Sequence, residues 1–359
     1  MRTLLSVVAI SFAMVGCSSS GDVQLGPAGG GPGGAGGGGS GGSGNGSSSS
    51  SGNGGGGAGG SGMSYTVTFD PVKVAPGTER TQCVIKRLGN DEMIRIHEIH
   101  NVLPTGSHHL IVYRTNDTME QLEPYDCQPF ADTLDPSKGA PVMITQKHEE
   151  TLTLPDGVGF TMQPNQMVRL EMHYLNASLS ELDVSATSTF HVMKEEDFKD
   201  EADFLFIGSP DISIAPHSTA SLGPVYMALP ADLAGSKFFG VTGHTHQWGK
   251  NVTVATASGE LGGEVSVYKV DNWLWSEPPT VYHDPPFEVP QGGGFRFTCA
   301  WDNQSSSQVG FGESANQEMC FFWAYYYPSK GSRVCAHTEQ FGGLDICCPG
   351  SELCDYLFN

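Results

Sequence analysis

The chain has 359 residues, and its 39 acidic side chains outnumber its 18 Lys and Arg side chains to give a formal net charge of −21. This balance excludes nucleic acid as an expected partner, because nucleic-acid binding is driven by Lys and Arg that neutralise phosphates. No apolar run approaches the roughly 20 residues that a transmembrane helix needs. We therefore predict an acidic body without membrane-spanning helices.

The first residues have the pattern of an export signal. Arg2 supplies a positive charge, and the apolar stretch at residues 4–16 is too short to cross a bilayer. The stretch ends in Met14-Val15-Gly16-Cys17, which resembles the lipobox of bacterial lipoproteins. The resemblance implies a signal peptide over residues 1–17 and an exported protein that a lipid on Cys17 anchors to the membrane. The alternative is an ordinary cleaved signal with an incidental cysteine.

Residues 18–62 consist mostly of Gly and Ser. A segment of this composition buries too little apolar surface to fold, so we predict a disordered linker. A flexible chain of this length has an end-to-end distance of about 35–40 Å. The linker would hold the body away from a membrane surface.

From residue 63 onward, short segments alternate apolar and polar residues and are separated by Gly, Pro, Asn and Asp. This pattern is typical of β-strands in a sandwich. It is clearest in five segments: residues 65–69, 167–174, 252–256, 264–268 and 295–299. No long amphipathic helix is predicted, so the expected fold class is all-β.

A charged segment at residues 194–201 interrupts the strand pattern and is predicted as a short helix or a linker. A boundary near residue 197 divides the body into two β-domains of ordinary size, residues 63–197 and 198–333. The Cys-rich end, residues 334–359, is predicted to be a small appendage held by disulfides.

Eight cysteines follow Cys17, and an even number in an exported chain indicates disulfides. The alternative, a metal site, would need C-x-x-C pairs, which the sequence does not contain. The eight are Cys83, Cys127, Cys299, Cys320, Cys335, Cys347, Cys348 and Cys354.

Three groups of histidines are candidate metal ligands. His108 and His109 are neighbours in a predicted strand, so they can serve one metal only if the backbone is bulged there; the alternative is a polar surface pair. His173 lies alone in the apolar strand at residues 170–174, where a half-buried structural histidine is the alternative. His244 and His246 are predicted to open a strand that continues past residue 250, and residues i and i+2 share one strand face.

The candidate metal follows from the other ligands available. Disulfides leave no free thiols, and no carboxylate pair adjoins the histidines, which disfavours calcium, magnesium and the two-His-one-carboxylate iron site. Imidazoles combined with a soft thioether suit copper. Met319, which precedes Cys320, is the candidate thioether, and core packing is its alternative role.

In chain order the sequence contains His-His, His, His-x-His and a Met-Cys pair followed by an aromatic strand. This order resembles the copper type II, ascorbate-dependent monooxygenases, the family of peptidylglycine α-hydroxylating monooxygenase and dopamine β-monooxygenase. The most specific segments are Gly-His-Thr-His-Gln-Trp-Gly-Lys at residues 243–250 and Glu-Met-Cys-Phe-Phe-Trp-Ala-Tyr-Tyr-Tyr-Pro at residues 318–328. The motifs at residues 107–110 and 170–174 fall in the expected order and approximate spacing.

The resemblance implies two tandem jelly-roll-like β-sandwich domains that face each other across a solvent-filled cleft and hold one copper each. In the first domain, His108, His109 and His173 would bind the electron-reservoir copper. In the second, the catalytic copper would be bound by the remaining ligands: His244, His246 and Met319.

The resemblance also implies a reaction. One oxygen atom of O2 would be inserted into a substrate C–H bond at the Met-ligated copper, the first-domain copper would supply an electron, and ascorbate or another one-electron donor would reduce both coppers. Family disulfides would join Cys299 to Cys320 beside the methionine ligand, and Cys83 to Cys127 in the first domain.

One departure from the family bears on specificity. In the peptide-hydroxylating branch an arginine two residues before the H-x-H motif binds the substrate carboxylate, and here that position is Thr242. A helpful tyrosine after the methionine is replaced by Trp323, beside Phe321 at the predicted pocket edge. Because a buried carboxylate needs a paired charge, we expect a small aromatic or apolar substrate rather than a glycine-extended peptide.

The leading hypothesis is an exported, lipid-anchored, monomeric copper monooxygenase acting on a small molecule. One alternative is a copper-binding or surface-binding lipoprotein that keeps the double sandwich without turnover. Another is a purely structural sandwich with vestigial histidines, which the intact ligands at all six positions disfavour.

Overall fold

In the computed structural model of the protein, the described residues are 62–104, 106–127, 139–312, 314–340 and 342–349. They form 23 strands and two single-turn 3₁₀ helices, with no α-helix among them, which confirms the predicted all-β class. The predicted signal peptide, Cys17 and all but the last residue of the predicted linker lie outside this part of the chain. Among the described residues, no helix is long and apolar enough to cross a membrane.

The first β-sandwich is built from eleven strands in two sheets. They are β1 (Ser64–Val74), β2 (Glu79–Arg87), β3 (Ile94–Val102), β4 (Ser107–Thr115), β5 (Gln121–Asp126), β6 (Gly139–Thr145), β7 (Glu149–Thr153), β8 (Val158–Met162), β9 (Met167–Leu175), β10 (Leu182–Met193) and β11 (Asp200–Glu201). One sheet has the order β5-β2-β9-β4-β6. The other has the order β1-β10-β3-β8-β11, with β7 also paired to β3.

The second β-sandwich follows directly along the chain. Its strands are β12 (Asp203–Gly208), β13 (Ser213–Ile214), β14 (Ser218–Ala228), β15 (Lys237–His244), β16 (Gly249–Ala257), β17 (Glu264–Lys269), β18 (Val281–Glu288), β19 (Gly294–Asn303), β20 (Val309–Gly310), β21 (Phe321–Tyr327), β22 (Arg333–Thr338) and β23 (Leu344–Cys348). The main sheets have the orders β18-β15-β21-β12-β22-β23 and β14-β19-β16-β17, and β13 pairs with β20.

The junction between the sandwiches lies slightly later than residue 197. The charged segment forms a single 3₁₀ turn at Glu195–Asp197, and a second 3₁₀ turn occurs at Ala231–Leu233. After the first turn, β11 pairs in parallel with β8 of the first sandwich. The first sandwich therefore continues to Glu201.

The described part of the Cys-rich end, up to residue 349, adds strands to the second sandwich, whereas residues 350–359, with Cys354, lie outside the described residues. β22 pairs in parallel with β12, and β23 pairs with β22, so both strands extend the six-stranded sheet. Cys335 is bonded to Cys347, which lies directly opposite it on β23. The disulfide thus joins two neighbouring strands of the sheet.

Strands β12 and β21 contribute to two different apolar cores. Along β21 the side chains alternate: Phe321, Trp323 and Tyr325 belong to the core shared with the first sandwich, whereas Phe322, Ala324 and Tyr326 belong to the core of the second. On β12, Phe204 and Phe206 join the shared core, and Leu205 and Ile207 join the other. Because both faces of these strands are covered, their sequences are continuously apolar. The two sandwiches are therefore packed together through an apolar interface.

Candidate metal centre

A backbone bulge brings the first two histidines together. The pairing of β4 with β9 shifts register between Ser107 and His109, which makes His108 the extra residue of the bulge. His109 lies directly opposite His173 on β9. From the sequence, His108 and His109 could face the same point only if the backbone were bulged, and the structure contains that bulge.

The three histidines of the first sandwich form a compact group. Their ring centroids are 4.9–5.3 Å apart, and one candidate ligand atom of each lies within 4.8 Å of the other two. All three side chains are buried, with His108 the most exposed at 8%. The arrangement places three imidazoles around one point, where they could hold a metal ion.

The second pair, His244 and His246, lies where β15 ends, whereas the sequence predicted that the pair begins a strand. β15 ends at His244, and His246 lies in the turn that leads into β16, with ring centroids 5.1 Å apart. The turn is tight, because the N–H of Gly249 donates to the carbonyl of His246 at 2.9 Å. A Cβ on Gly249 would lie 1.8 Å from Thr245 Oγ1, so only glycine fits there.

Glu318 fixes this turn. Its carboxylate accepts the backbone N–H groups of His246 at 2.8 Å and Trp248 at 2.7 Å, and the indole N–H of Trp301 at 2.9 Å. Burial raises the pKa of Glu318 to about 7, although these donors oppose the rise. The next residue, Met319, is buried at 3% exposure. The segment that carries the predicted thioether is therefore attached directly to the H-x-H turn.

Disulfides brace both halves of the centre. Cys299 on β19 is bonded to Cys320, the residue after Met319, which links the two sheets of the second sandwich. Cys83 on β2 is bonded to Cys127. These are the two pairs that the family resemblance implied.

The two groups of histidines are in contact across the interface between the sandwiches. The His108 ring centroid lies 6.2 Å from that of His246 and 6.5 Å from that of His244, and the His109 centroid lies 6.3 Å from that of His244. The resemblance implied a solvent-filled cleft, and here the structure differs. The apolar outer faces of β12, β15 and β21 pack against the first sandwich and bring the five residues into one buried set, which we call the histidine cluster: His108, His109, His173, His244 and His246.

Hydrogen bonds fix which nitrogen of three rings can bind a metal. The Nε2–H of His173 donates to Glu79 Oε1 at 3.0 Å, the Nδ1–H of His246 donates to the carbonyl of Gln317 at 3.1 Å, and the Nδ1–H of His244 donates to Gln146 Oε1. The lone pair is thereby placed on Nδ1 of His173 and on Nε2 of His244 and His246. Metal-ligating histidines usually have a hydrogen-bond partner of this kind at the other nitrogen.

The donor set fits a metal of the copper type. Nε2 of His108, Nδ1 of His173 and Nε2 of His246 are buried and have no hydrogen-bond partner among the described residues. Unsatisfied buried polar atoms are rare in proteins and indicate an additional ligand. Imidazoles grouped in this way suit copper, and a thioether from Met319 would strengthen the preference for Cu(I).

Burial favours the neutral form, which metals require, at four histidines of the cluster: His108, His109, His244 and His246. It lowers the pKa of His108, His109 and His244 well below the ordinary value, and the neighbouring histidines lower it further. For His246 the pKa falls to about 4, for the same reasons. Neutral imidazoles retain the lone pair that binds a metal ion, so metal binding at these four residues does not have to displace a proton at neutral pH.

The predicted pocket residues lie at the interface between the sandwiches. Trp323 is fully buried, and its ring centroid is 6.2 Å from that of His244. Phe321 stacks on Phe206 at 5.0 Å. The hydroxyl of Thr242 is buried and lies 2.8 Å from that of Thr280. Only Trp323 is thus placed in ring contact with the cluster, and a substrate role for the three residues stays a prediction.

Sequence reasoning missed four residues around the cluster. Glu318 directly precedes Met319 in the sequence motif, so the sequence does place it beside the candidate thioether. Glu79 and Gln146 are 94 and 98 residues away from the histidines that they contact, and no sequence pattern indicates such pairs. Trp275, on the loop before β18, has its ring centroid 5.1 Å from that of His108 and was also not foreseen.

Comparison with known families supports the resemblance. Residues 202–342 match the family described as copper type II ascorbate-dependent monooxygenase, C-terminal domain. The match covers β12 to β22 and includes His244, His246 and Met319. It confirms the family resemblance over the second sandwich and supports a copper-dependent, monooxygenase-like function. No curated protein matches the chain.

Similarities to solved structures are weak. A structure of the infectious bursal disease virus Gx strain is 9% identical, with 76% of this chain and 73% of that chain covered and a TM-score of 0.20. A tail fiber protein from an E. coli phage is 10% identical, with 74% of this chain and 40% of that chain covered and a TM-score of 0.19. Scores this low support no conclusion about fold or function.

Proposed function

We propose that this protein is a copper monooxygenase that inserts one oxygen atom of O2 into a C–H bond of a small molecule, with ascorbate or another one-electron donor as reductant. The observation that carries the proposal is the histidine cluster, in which three buried ring nitrogens lack a partner among the described residues. The family match over residues 202–342 supports copper as the metal and oxygenation as the reaction.

Each sandwich would hold one copper ion, and the two ions would have different roles. His244, His246 and Met319 would hold the catalytic copper, and the three histidines of the first sandwich would hold the copper that supplies an electron. Copper supplies the reversible one-electron chemistry that side chains lack. Glu79, Gln146 and the Gln317 carbonyl orient the imidazoles, and burial of the cluster keeps bulk water away from the reacting atoms.

For the substrate, we propose a small neutral or cationic aromatic molecule. The hydroxyl of Thr242 is hydrogen-bonded with that of Thr280, which donates in turn to the carboxylate of Glu150 at 2.9 Å. This chain of contacts ends in an acidic group, so it offers no positive charge to a carboxylate. Trp323 beside the cluster instead presents an aromatic ring, which favours flat apolar or cationic ligands.

Metal analysis of the purified protein tests the two-site assignment. We expect two coppers per chain in the wild type, and the loss of about one copper in each of His108→Ala and His244→Ala, because each variant removes a ligand from one half. Zinc, or a single copper in the wild type, would overturn the assignment.

Oxygen consumption tests turnover. With ascorbate present, a panel of small aromatic compounds should stimulate O2 uptake, and a glycine-extended peptide should stimulate it poorly. If copper is bound but no compound stimulates uptake, the alternative of a non-catalytic copper-binding lipoprotein replaces this proposal. Rapid hydroxylation of the peptide would instead refute the proposed substrate class.

We also propose that the protein is exported, monomeric and anchored to a bacterial membrane by a lipid on Cys17, on the strength of the lipobox-like segment. In a bacterial host, the wild type should fractionate with membranes, and Cys17→Ala should not be lipidated. Equal distribution of the two forms between membrane and soluble fractions would contradict the anchor, and light scattering of the purified protein checks the monomer.

A further inference from the structure

The orientation of His244 depends on a residue of the other sandwich. Gln146 follows β6 in the first sandwich and is buried. Its Oε1 accepts the Nδ1–H of His244, and its Nε2 donates to the carbonyl of Gly243 at 3.4 Å. A side chain of the first sandwich therefore holds both the ring and the backbone at the end of β15.

A second contact from the first sandwich to the other is made by Glu79. It lies on β2, on the same face as Thr81, which is directly opposite His173. The Oε1 atom of Glu79 accepts the Nε2–H of His173 at 3.0 Å and also the backbone N–H of Ala315, in the second sandwich, at 2.8 Å. Its Oε2 atom accepts the hydroxyl of Ser314 at 3.2 Å.

The segment that Glu79 contacts is the segment that fixes the second site. Ala315 is followed by Gln317, whose carbonyl accepts the Nδ1–H of His246, and by Glu318, whose carboxylate holds the H-x-H turn. One carboxylate thus connects His173 in one sandwich to the support of His246 in the other.

We propose that Glu79 and Gln146 are positioning residues. Gln146 fixes the tautomer of His244 across the interface, and Glu79 fixes that of His173 within the first sandwich while it holds the segment that supports His246 in the second. The second half-site is therefore completed only when the sandwiches are docked. The consequence for metal binding rests on the proposed copper function. A ring held in one tautomer always presents the same lone pair, whereas a ring without its acceptor presents it only part of the time, and the apparent affinity falls by that fraction. Because linkage is reciprocal, metal in one half would then favour docking and metal binding in the other.

Nitrogen NMR of the metal-free full chain, labelled with ¹⁵N-histidine, tests the positioning roles without metal or activity. In the wild type the proton should reside on Nε2 of His173 and on Nδ1 of His244. Glu79→Ala should convert His173 to a mixture of tautomers, and Gln146→Ala should do the same for His244. Glu79→Gln and Gln146→Glu, which retain an acceptor oxygen, should restore the single tautomer and show that the alanine effects arise from the lost acceptor.

Matched controls separate this effect from general loosening of the fold. The carboxylate of Glu98 lies 3.8 Å from Nε2 of His191 on the other sheet of the first sandwich, and Gln308 donates to Ser213 in the second sandwich at 2.9 Å. Glu98→Ala and Gln308→Ala should leave both cluster tautomers unchanged. Unchanged tautomers in Glu79→Ala and Gln146→Ala would overturn the proposal.

Anaerobic Cu(I) titration of the full chain tests the consequence for metal binding. We expect Gln146→Ala to weaken copper binding in the second half about 10–100-fold, the usual effect of losing a residue that orients a ligand, and to weaken the first half by a smaller factor. Wild-type affinity in both halves of Gln146→Ala would overturn the coupling. If the wild type binds no copper, the proposed function fails, and the tautomers alone decide whether Glu79 and Gln146 have positioning roles.

Discussion

At the scale of single residues, three histidines of the cluster are each oriented by a hydrogen-bond acceptor. A neutral imidazole has one donor and one acceptor nitrogen, and its partner decides which is which. Here a carboxylate, an amide and a backbone carbonyl each receive the N–H of one ring. Glu318 contributes differently, because it accepts backbone N–H groups of the turn that contains His246 and does not contact a histidine ring. These contacts fix the orientation of the rings in the folded chain before any metal is bound.

Replacing Met319 by Ile separates folding from oxygen chemistry. The substitution roughly conserves volume in a buried position, so it should change the free energy of unfolding by less than about 1.5 kcal/mol. It removes the thioether, so O2 consumption should be lost while the copper of the first sandwich is retained. Urea unfolding, metal analysis and an oxygen electrode measure the three quantities. Met227→Ile, in the core of the second sandwich, is the matched control, and wild-type O2 uptake by the Met319 variant would contradict its assigned role.

At the scale of strands, two features of the fold create the centre. The bulge at His108 turns two successive histidines toward one point, where a regular strand would send them to opposite faces. Strand β21 has two buried faces, one in each core, so the sheet that carries the H-x-H turn is also the surface on which the first sandwich packs. The cluster lies at the interface because the face of β21 that carries Phe321, Trp323 and Tyr325 packs against the first sandwich.

The interface strand gives a test of how the sandwiches pack. Trp323→Ala removes a fully buried indole from the shared core, and it should lower the free energy of unfolding by about 3–5 kcal/mol. Phe311, at 40% exposure, is the control aromatic, and its replacement by Ala should cost far less. Urea unfolding measures both variants. Equal small effects would indicate that the face of β21 is solvated, as in an open cleft.

The first residue of β12 provides a pH test at the junction. Burial raises the pKa of Asp203, although a hydrogen bond from Ser329 and the charge of Arg114 oppose the rise. Because the folded pKa exceeds the unfolded value of about 3.9, the contribution of this carboxyl to stability is complete below that pH and is lost as the pH rises through the folded pKa. Asp203→Asn does not titrate. In urea unfolding, the variant should therefore gain stability relative to the wild type as the pH rises from about 4 through the raised folded pKa of Asp203, and a pH-independent difference would contradict this assignment.

At the scale of the whole molecule, local sequence patterns predicted the strands and the candidate ligands but not how the two sandwiches pack together. Alternation identified the strands, as at residues 252–256 and 295–299, because one face of each strand is buried and the other is more exposed. The order of the histidines identified the family and the candidate ligands. Contact between the two groups was not predicted, because it depends on the packing of β12 and β21 against the first sandwich. The continuous apolar sequence of β21 is consistent with that packing but does not name the surface that covers it.

The same packing predicts that the molecule unfolds as one unit and that metal stabilises all of it. Since the shared core includes residues from both sandwiches, calorimetry of the metal-free protein should show one endotherm rather than two. A ligand that binds only the folded state at 100 times its Kd adds about 2.7 kcal/mol, so copper should move that single endotherm upward. His246→Ala should reduce the upward shift, whereas Glu98→Ala, which leaves the cluster intact, should not. Two endotherms of which copper moves only one would show instead that the sandwiches unfold independently and that the cluster lies within one of them.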